Sequence, residues 1–484
     1  MTLSRVRLML LAVALLVMVL AWVMVLRPRS GLIIRRLERD GVPMLFMAPA
    51  AAQDVPAVLI AHGFGGSKQL MLGYGHVLAH AGYAVLLWDF AGHAANAAAL
   101  DMGRDALQQN LDSAYAELIA QPEVDETQVA LLGHSMGSGA VMTAGIRDVE
   151  RYRATVAVSP TSAEVTETAP RNLLLQAGAL EPQFAENAEG LLAAAGGTND
   201  DLANGRGRAF VLIPLVEHIT ILFSPDSHQA ALNWLDDTFG RSNSSDYRDG
   251  RMLWYAAHVV AGAVALAAAG PLFPRVTEKV VTRPRWAWVA LLTAPFLATG
   301  LLALVSQVGD ITSLGGLLVG GALGLWLLFM GLLFGLGYRP SRPTRRSLLW
   351  GLVLFVLLWL ILGALAQIVW LPWLLVPARL VRWPLLAFMC LPWTVAAAHG
   401  SHSPRWTTHA GWWFVQTVLI SAGLLLAIVL IPGLFVLVLV LPLFPLIIGL
   451  MTIANAALRD PWASGLGNAL LFAWLLLAYF PLAG

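Results

Sequence analysis

Charge is what this sequence has least of. Only 12% of its 484 residues are Asp, Glu, Lys or Arg, against about 25% in an ordinary soluble domain. With 58% hydrophobic residues, this excludes a disordered chain and a wholly soluble one. Cysteine is almost absent. Cys390 stands alone in an apolar stretch, which excludes a disulfide framework and a cysteine-based zinc site. A disulfide-free chain fits either side of a membrane, so the compartment stays open. Lysine is nearly missing too. Lys68 and Lys279 are the only two among 30 basic residues, and with so much Ala, Leu and Gly the expected source is a GC-rich bacterial genome. No basic run is dense enough to suggest nucleic acid as a partner.

The few charges are unevenly placed. Residues 1–251 hold 18 Lys/Arg and 26 Asp/Glu, whereas residues 252–484 hold 12 and 3. An acidic, globular-looking segment is therefore joined to a long apolar one with thin basic connectors. Residues 8–26 form an uncharged run of 19, about 28 Å as a helix, preceded by Arg5 and Arg7. The run outlasts a secretory h-region and ends in Val23-Met24-Val25-Leu26-Arg27 rather than a small-x-small cleavage site. An uncleaved signal anchor is expected over 1–29. A globular domain follows over 30–240, then a polar linker over 241–252 and a polytopic region over 253–484. Apolar spans fall near 253–273, 286–306, 314–337, 348–370, 380–398, 411–431, 433–453 and 464–482, making about nine with the anchor.

Twelve Lys/Arg lie in the N-terminal tail and in the loops after the even-numbered spans, against Arg379 and Arg382 on the other side. The positive-inside rule then places the N-terminus in the cytoplasm and the 30–240 domain outside it. Arg27, Arg29, Arg35 and Arg36 argue the other way. They front a long domain, however, and long domains translocate largely regardless of charge.

Within 30–240, short apolar runs at 43–47, 57–61, 84–89, 128–132, 155–159, 172–176 and 210–214 read as buried strands. Helical patterns alternate with them at 69–80, 102–120, 136–146, 181–195 and 227–239. Alternation of this kind predicts an α/β fold, a mostly parallel sheet with flanking helices, fused to an all-α membrane region.

Gly133-His134-Ser135-Met136-Gly137 lies between a strand and a helix, the context of a nucleophile elbow. The glycines permit the tight turn that pushes Ser135 forward. His62-Gly63-Phe64-Gly65-Gly66 follows an earlier strand, and its glycines let backbone approach a substrate. The N–H groups of Phe64 and Met136 are the candidate oxyanion hole. His62, at the strand end, is expected to be structural. A serine nucleophile needs a base and the base needs an orienting acid, in the chain order Ser, Asp/Glu, His. His218, after the 210–214 strand, is the candidate base, with His228 as runner-up. Glu181, the sole carboxylate in the turn after 172–176, is the candidate acid, and the rival reading is charge pairing at a helix N-terminus. Asp226 is a weaker alternative, and Glu217 should point elsewhere.

These stretches resemble the α/β-hydrolase superfamily, in particular its dienelactone-hydrolase-like and serine-aminopeptidase-like branches. The likeness covers residues 55–240, under half of the chain, and is carried by "AVLIAHGFGGSKQLMLGYGHVLAHAGYAVLLWDFAGH", "VALLGHSMGSGAV", "LLLQAGALEP" and "LVEH". It implies a serine hydrolase with Ser135 as nucleophile. The chain departs from the common pattern in three places. Ala91 stands where many relatives have an arginine before Gly-His, Ser138 replaces a second glycine, and Glu181 replaces the commoner aspartate. Relatives often carry a cap before the 172–176 strand, but residues 160–171 are too few for one. An open site covered by the membrane half or the bilayer surface is the resulting expectation, favouring a lipid-like ester.

No family is recognised in the apolar half. Its spans hold almost no ionisable residue apart from His258, which argues against a pump. His399, His402 and His409 share one loop without a carboxylate and read as interfacial rather than metal-binding. The expected function is membrane-bound ester hydrolysis through an acyl-enzyme, needing no cofactor or metal. An acyltransferase, a serine peptidase and a lipid-handling protein with a regulatory hydrolase-like domain stay open as alternatives.

Overall fold

The computed structural model describes residues 3–101, 103–242, 245–273, 284–336, 342–403 and 405–484. Arg275, Lys279, Arg283 and Arg339, four of the twelve Lys/Arg behind the expected orientation, lie outside them. The chain divides into two compact units. One comprises Met1–Trp22, Tyr255–Leu365 and Trp373–Gly484, and the other comprises Val23–Trp254 and Ala366–Pro372.

An apolar helix α1 (Arg5–Leu26) leads into the second unit. There the elements run β1 (Leu32–Arg39), β2 (Val42–Pro49), β3 (Val55–Ala61), α2 (Leu72–His80), β4 (Ala84–Trp88), α3 (Arg104–Ile119), β5 (Val124–His134), α4 (Met136–Arg147), β6 (Thr155–Val158), β7 (Leu173–Gly178), α5 (Pro182–Ala194), β8 (Arg208–Ile213) and α6 (Pro225–Phe239). The eight strands form one sheet in the order β1-β2-β4-β3-β5-β6-β7-β8. The pairs from β4 to β8 are parallel, and the two pairs involving β2 are antiparallel.

Side chains alternate across the sheet with the period of two that a pleated strand imposes. In β3, Val58 and Ile60 pack with α2 and α6, whereas Ala57, Leu59 and Ala61 pack with α3 and α4. In β7, Leu174 faces the first layer, and Leu173 and Leu175 face α5. Both faces are thereby covered, which is why the central strands read as unbroken apolar runs.

Sequence reasoning missed β1. Its Arg35, Arg36, Glu38 and Arg39 break the apolar pattern, and an edge strand tolerates them. Two of these arginines pair with carboxylates, Arg35 with Glu123 at 2.5 Å and Arg39 with Glu117 at 2.9 Å.

Wholly or mostly in the first unit, the described residues include six helices long and apolar enough to cross a membrane, Arg251–Leu272, Arg285–Ser306, Arg345–Ile368, Trp406–Leu430, Leu441–Leu458 and Pro461–Tyr479, and α1 is a seventh. Gly320–Gly335 is a shorter apolar helix. The 433–453 stretch is not one α-helix. A 3-10 segment, Pro432–Leu439, precedes Phe444–Leu458. Pro432, Pro442 and Pro445 lack the N–H that an unbroken α-helix needs.

Candidate active site

The elbow forms where β5 passes directly into α4. Ser135 is the hinge residue, at φ 53° and ψ −121°. A non-glycine residue in such a conformation costs about 1–3 kcal/mol. Small neighbours make the turn possible. A Cβ on Gly133 would lie 2.3 Å from the Gly137 carbonyl oxygen, and one on Gly137 would lie 2.5 Å from the His62 oxygen. Only hydrogen fits at either position.

The turn brings the three sequence-predicted residues together. His218 Nε2 lies 3.0 Å from Ser135 Oγ, and His218 Nδ1 lies 2.8 Å from Glu181 Oε2. Glu181 Oε1 accepts from the Gly178 N–H at 2.6 Å and from the Ser159 hydroxyl at 2.7 Å. Three donors thus surround a carboxylate that is only 6% exposed. Glu181 does precede the first turn of α5, but its side chain makes no capping bond there. The Phe184 ring stacks on the imidazole of His218, with centroids 4.2 Å apart.

The tautomer follows from the partners. A carboxylate only accepts, so Nδ1 carries the proton and Nε2 presents a lone pair to the serine hydroxyl. That is the state required of a general base for Ser135.

Phe64 sits in the glycine turn after β3, and Met136 is the first residue of α4. The bonds closing these turns run from Gly66 N to Gly63 O at 3.0 Å and from Ser138 N to Ser135 O at 2.8 Å. Neither turn employs the N–H of Phe64 or Met136. The Met136 N–H belongs to the first turn of a helix, whose donors lack intrahelical partners.

Two histidines brace the loop that carries Phe64. His62 Nδ1 donates to Gly63 O at 2.7 Å, and its Nε2 accepts from Phe90 N at 3.1 Å. Burial pushes the His62 pKa down to about 4, so the ring stays neutral and structural. His93 Nε2 accepts from Gly65 N at 3.1 Å. A buried ion pair between Lys68 and Asp89 ties the same two loops together, and Asp89 also accepts from Lys68 N at 2.9 Å and Ala95 N at 3.1 Å. This pair and the two histidines hold the turn that has Ala91 in place of arginine.

The other candidates lie elsewhere or make other bonds. His228, buried on α6, donates from Nε2 to Leu222 O at 2.8 Å and packs edge-on against Tyr74. Asp226 lies in the first turn of α6. Glu217 turns its carboxylate onto the N–H groups of Ile219 and Thr220, at 3.0 and 2.9 Å. Sequence reasoning missed Ser159, Lys68 and Asp89. A strand-end serine and a distant ion pair leave no local pattern to read.

Residues 52–191 match a protein family described as serine aminopeptidase, S33. The matched stretch contains Ser135, Phe64 and Glu181 and ends before His218. Among solved structures, the chain is similar to a dienelactone hydrolase from Anabaena variabilis, at 20% identity over 44% of this chain and 98% of that one, with a TM-score of 0.34. A bacterial esterase of the hormone-sensitive lipase family is 21% identical over 44% and 85%, at 0.34. An esterase from the archaeon Pyrobaculum calidifontis is 14% identical over 50% and 99%, also at 0.34. No curated protein matches the chain. The family match falls on the eight-stranded unit, and that N-terminal portion has the α/β-hydrolase fold.

Proposed function

We propose that the chain is a membrane-bound serine hydrolase that cleaves an ester through an acyl-enzyme. The observation that carries this reading is the chain of contacts from Ser135 through His218 to Glu181, with Ser135 held at a positive φ. Ser135 Oγ attacks the ester carbonyl carbon as its proton passes to His218 Nε2. The oxygen of the tetrahedral intermediate takes hydrogen bonds from the Phe64 and Met136 N–H groups. The carbonyl–alkoxy bond then breaks, and His218 returns the proton to the departing alcohol. Water next attacks the acyl-serine, giving its proton to His218. Collapse of that intermediate frees the acid and restores the serine. Glu181 orients the imidazole and stabilises its cation.

A lipid-like substrate is favoured by two features. Residues 160–171 contain no helix, so no cap domain separates β6 from β7. The unit is also tethered to α1, whose length and apolarity suit a bilayer.

Parity supports an extracytoplasmic hydrolase unit. Residues 369–372 follow Arg345–Ile368, the fifth apolar helix when Gly320–Gly335 is counted, and belong to the same compact unit as residues 30–250, which follow the first. Odd-numbered loops fall on one side, provided Gly320–Gly335 crosses too. With the arginine-rich loops cytoplasmic, the hydrolase unit is extracytoplasmic.

The test is ester hydrolysis by the detergent-solubilised chain, wild type against Ser135→Ala, with products analysed in the presence of a competing alcohol. Free acid as the main product supports hydrolysis. Exclusive transfer to the alcohol would make the chain an acyltransferase. Equal turnover by both proteins would remove Ser135 from the mechanism.

A further inference from the structure

A second histidine adjoins the nucleophile in the chain and bonds the backbone of the base. His134, the last residue of β5, directly precedes Ser135 and is 2% exposed. Its Nε2 lies 2.8 Å from the backbone oxygen of His218, and the two rings are 4.7 Å apart. A carbonyl only accepts, so Nε2 carries the proton and Nδ1 holds the lone pair. Nδ1 is buried and has no hydrogen-bond partner among the described residues. It faces Gly63, where an added Cβ would lie 2.8 Å from it. Burial first, and the neighbouring imidazole of His218 second, hold the ring well below the usual histidine range. It therefore stays neutral, and its one proton stays on the bond to His218.

Other bonds also hold the loop that carries His218, among them the one from His228 Nε2 to Leu222 O at 2.8 Å. Glu217 bonds the N–H groups of Ile219 and Thr220, which stiffens the loop internally. Leu180 N donates to Val216 O at 3.0 Å, which ties the loop to the strand end bearing Glu181. The His134 bond ties it to the elbow. It is made by the residue whose own backbone places Ser135.

We infer that His134 is a positioning residue for acyl transfer, fixing the backbone of the base to that of the nucleophile so that His218 Nε2 stays within reach of Ser135 Oγ. The inference rests on the Ser135–His218 reading above. It explains why an imidazole with an unsatisfied nitrogen is kept in the core. Its Nε2 spans a gap that a shorter donor would not bridge, and Gly63 leaves room for its other edge.

The test compares two unbranched side chains of similar length, His134→Gln and His134→Met. Glutamine keeps a donor near the position of Nε2, and methionine does not. Kinetics on a soluble ester and melting temperature are measured for both. The expected result is kcat about 10- to 100-fold lower in H134M with KM changed by less than about twofold, and recovery to within about threefold of wild type in H134Q. Equal losses in the two variants, or wild-type kcat in H134M, would overturn the inference while leaving Ser135 as nucleophile. Should H134M not fold, His134→Asn, too short to reach the carbonyl, takes its place with the same expected loss. A folded wild type that neither turns over ester nor takes a fluorophosphonate probe would overturn the nucleophile reading and this role with it.

Discussion

Replacing Glu181 with glutamine changes one atom, and the surrounding donors decide its effect. Oε1 faces two donors, the Gly178 N–H at 2.6 Å and the Ser159 hydroxyl at 2.7 Å. An amide nitrogen placed there would set N–H against a backbone N–H that cannot rotate away. The amide therefore keeps its oxygen on that side and turns its NH2 toward His218 Nδ1, now 2.8 Å from a donor. His218 must then present a lone pair at Nδ1 and carry its proton on Nε2, the wrong state to accept from Ser135. The corresponding amide substitution in a Ser-His-Asp enzyme lowers kcat about 10⁴-fold, which is about 5 kcal/mol of transition-state stabilisation. The same loss is expected for E181Q, with KM nearly unchanged and an intact fold. Initial rates of ester hydrolysis measure it, with melting temperature as the folding control. Glu181→Asp keeps the charge but shortens the arm, and it should fall well between E181Q and wild type. Activity of E181Q within about tenfold of wild type would refute the assigned tautomer and the acid role of Glu181.

Three further outcomes are expected. Ser159→Ala removes one charge-assisted hydrogen bond from the Glu181 carboxylate, a loss of about 1.5–3 kcal/mol; kcat for the ester should fall about tenfold, and a rate equal to wild type would discount Ser159. Acid should destabilise the hydrolase unit through its buried histidines. His62 is neutral in the fold until about pH 4 but takes a proton near pH 6.5 when unfolded, so the unfolded state binds the extra proton between those values. Stability from this site is fully present above about pH 6.5, falls with pH through that window, and amounts to about 3 kcal/mol. His76, His134 and His228 are lowered in the same sense. Chemical denaturation midpoints at pH 7, 6 and 5 would reveal the slope, and a flat profile would contradict it. Arg251, 2% exposed, pairs with Asp249 at 2.7 Å and donates to the carbonyls of Leu72 at 2.9 Å and Ile368 at 3.3 Å. Removing one partner of a buried pair costs about 3–5 kcal/mol, so Arg251→Met should lower the melting temperature sharply, and an unchanged value would show that these contacts do not stabilise the fold.

The parts legible in the sequence were those where local chemistry leaves little freedom. Gly133 and Gly137 were readable because a Cβ at either position would strike backbone. The central strands were readable because both faces of the sheet are covered. Strand β1 was not, because an exposed edge accepts Arg35 and Arg39 once Glu123 and Glu117 lie across from them. Glu181 and His218 could be proposed from their places at strand ends, since that topology alone carries loops to one end of the sheet. Ser159 and His134 could not. Their partners are 22 and 84 residues away, and one serine or histidine carries no trace of such a contact. The 433–453 stretch was apolar enough to pass for one helix, but its prolines act on backbone hydrogen bonding, which hydropathy does not register.

The most direct test of the account is where a fluorophosphonate attaches. Purified chain treated with the probe and digested should yield one modified peptide, with the adduct on Ser135. The adduct should be absent from Ser135→Ala and much slower to form in E181Q. A folded wild type that takes no adduct, or takes it at a residue other than Ser135, would contradict the claim that this elbow presents an activated nucleophile.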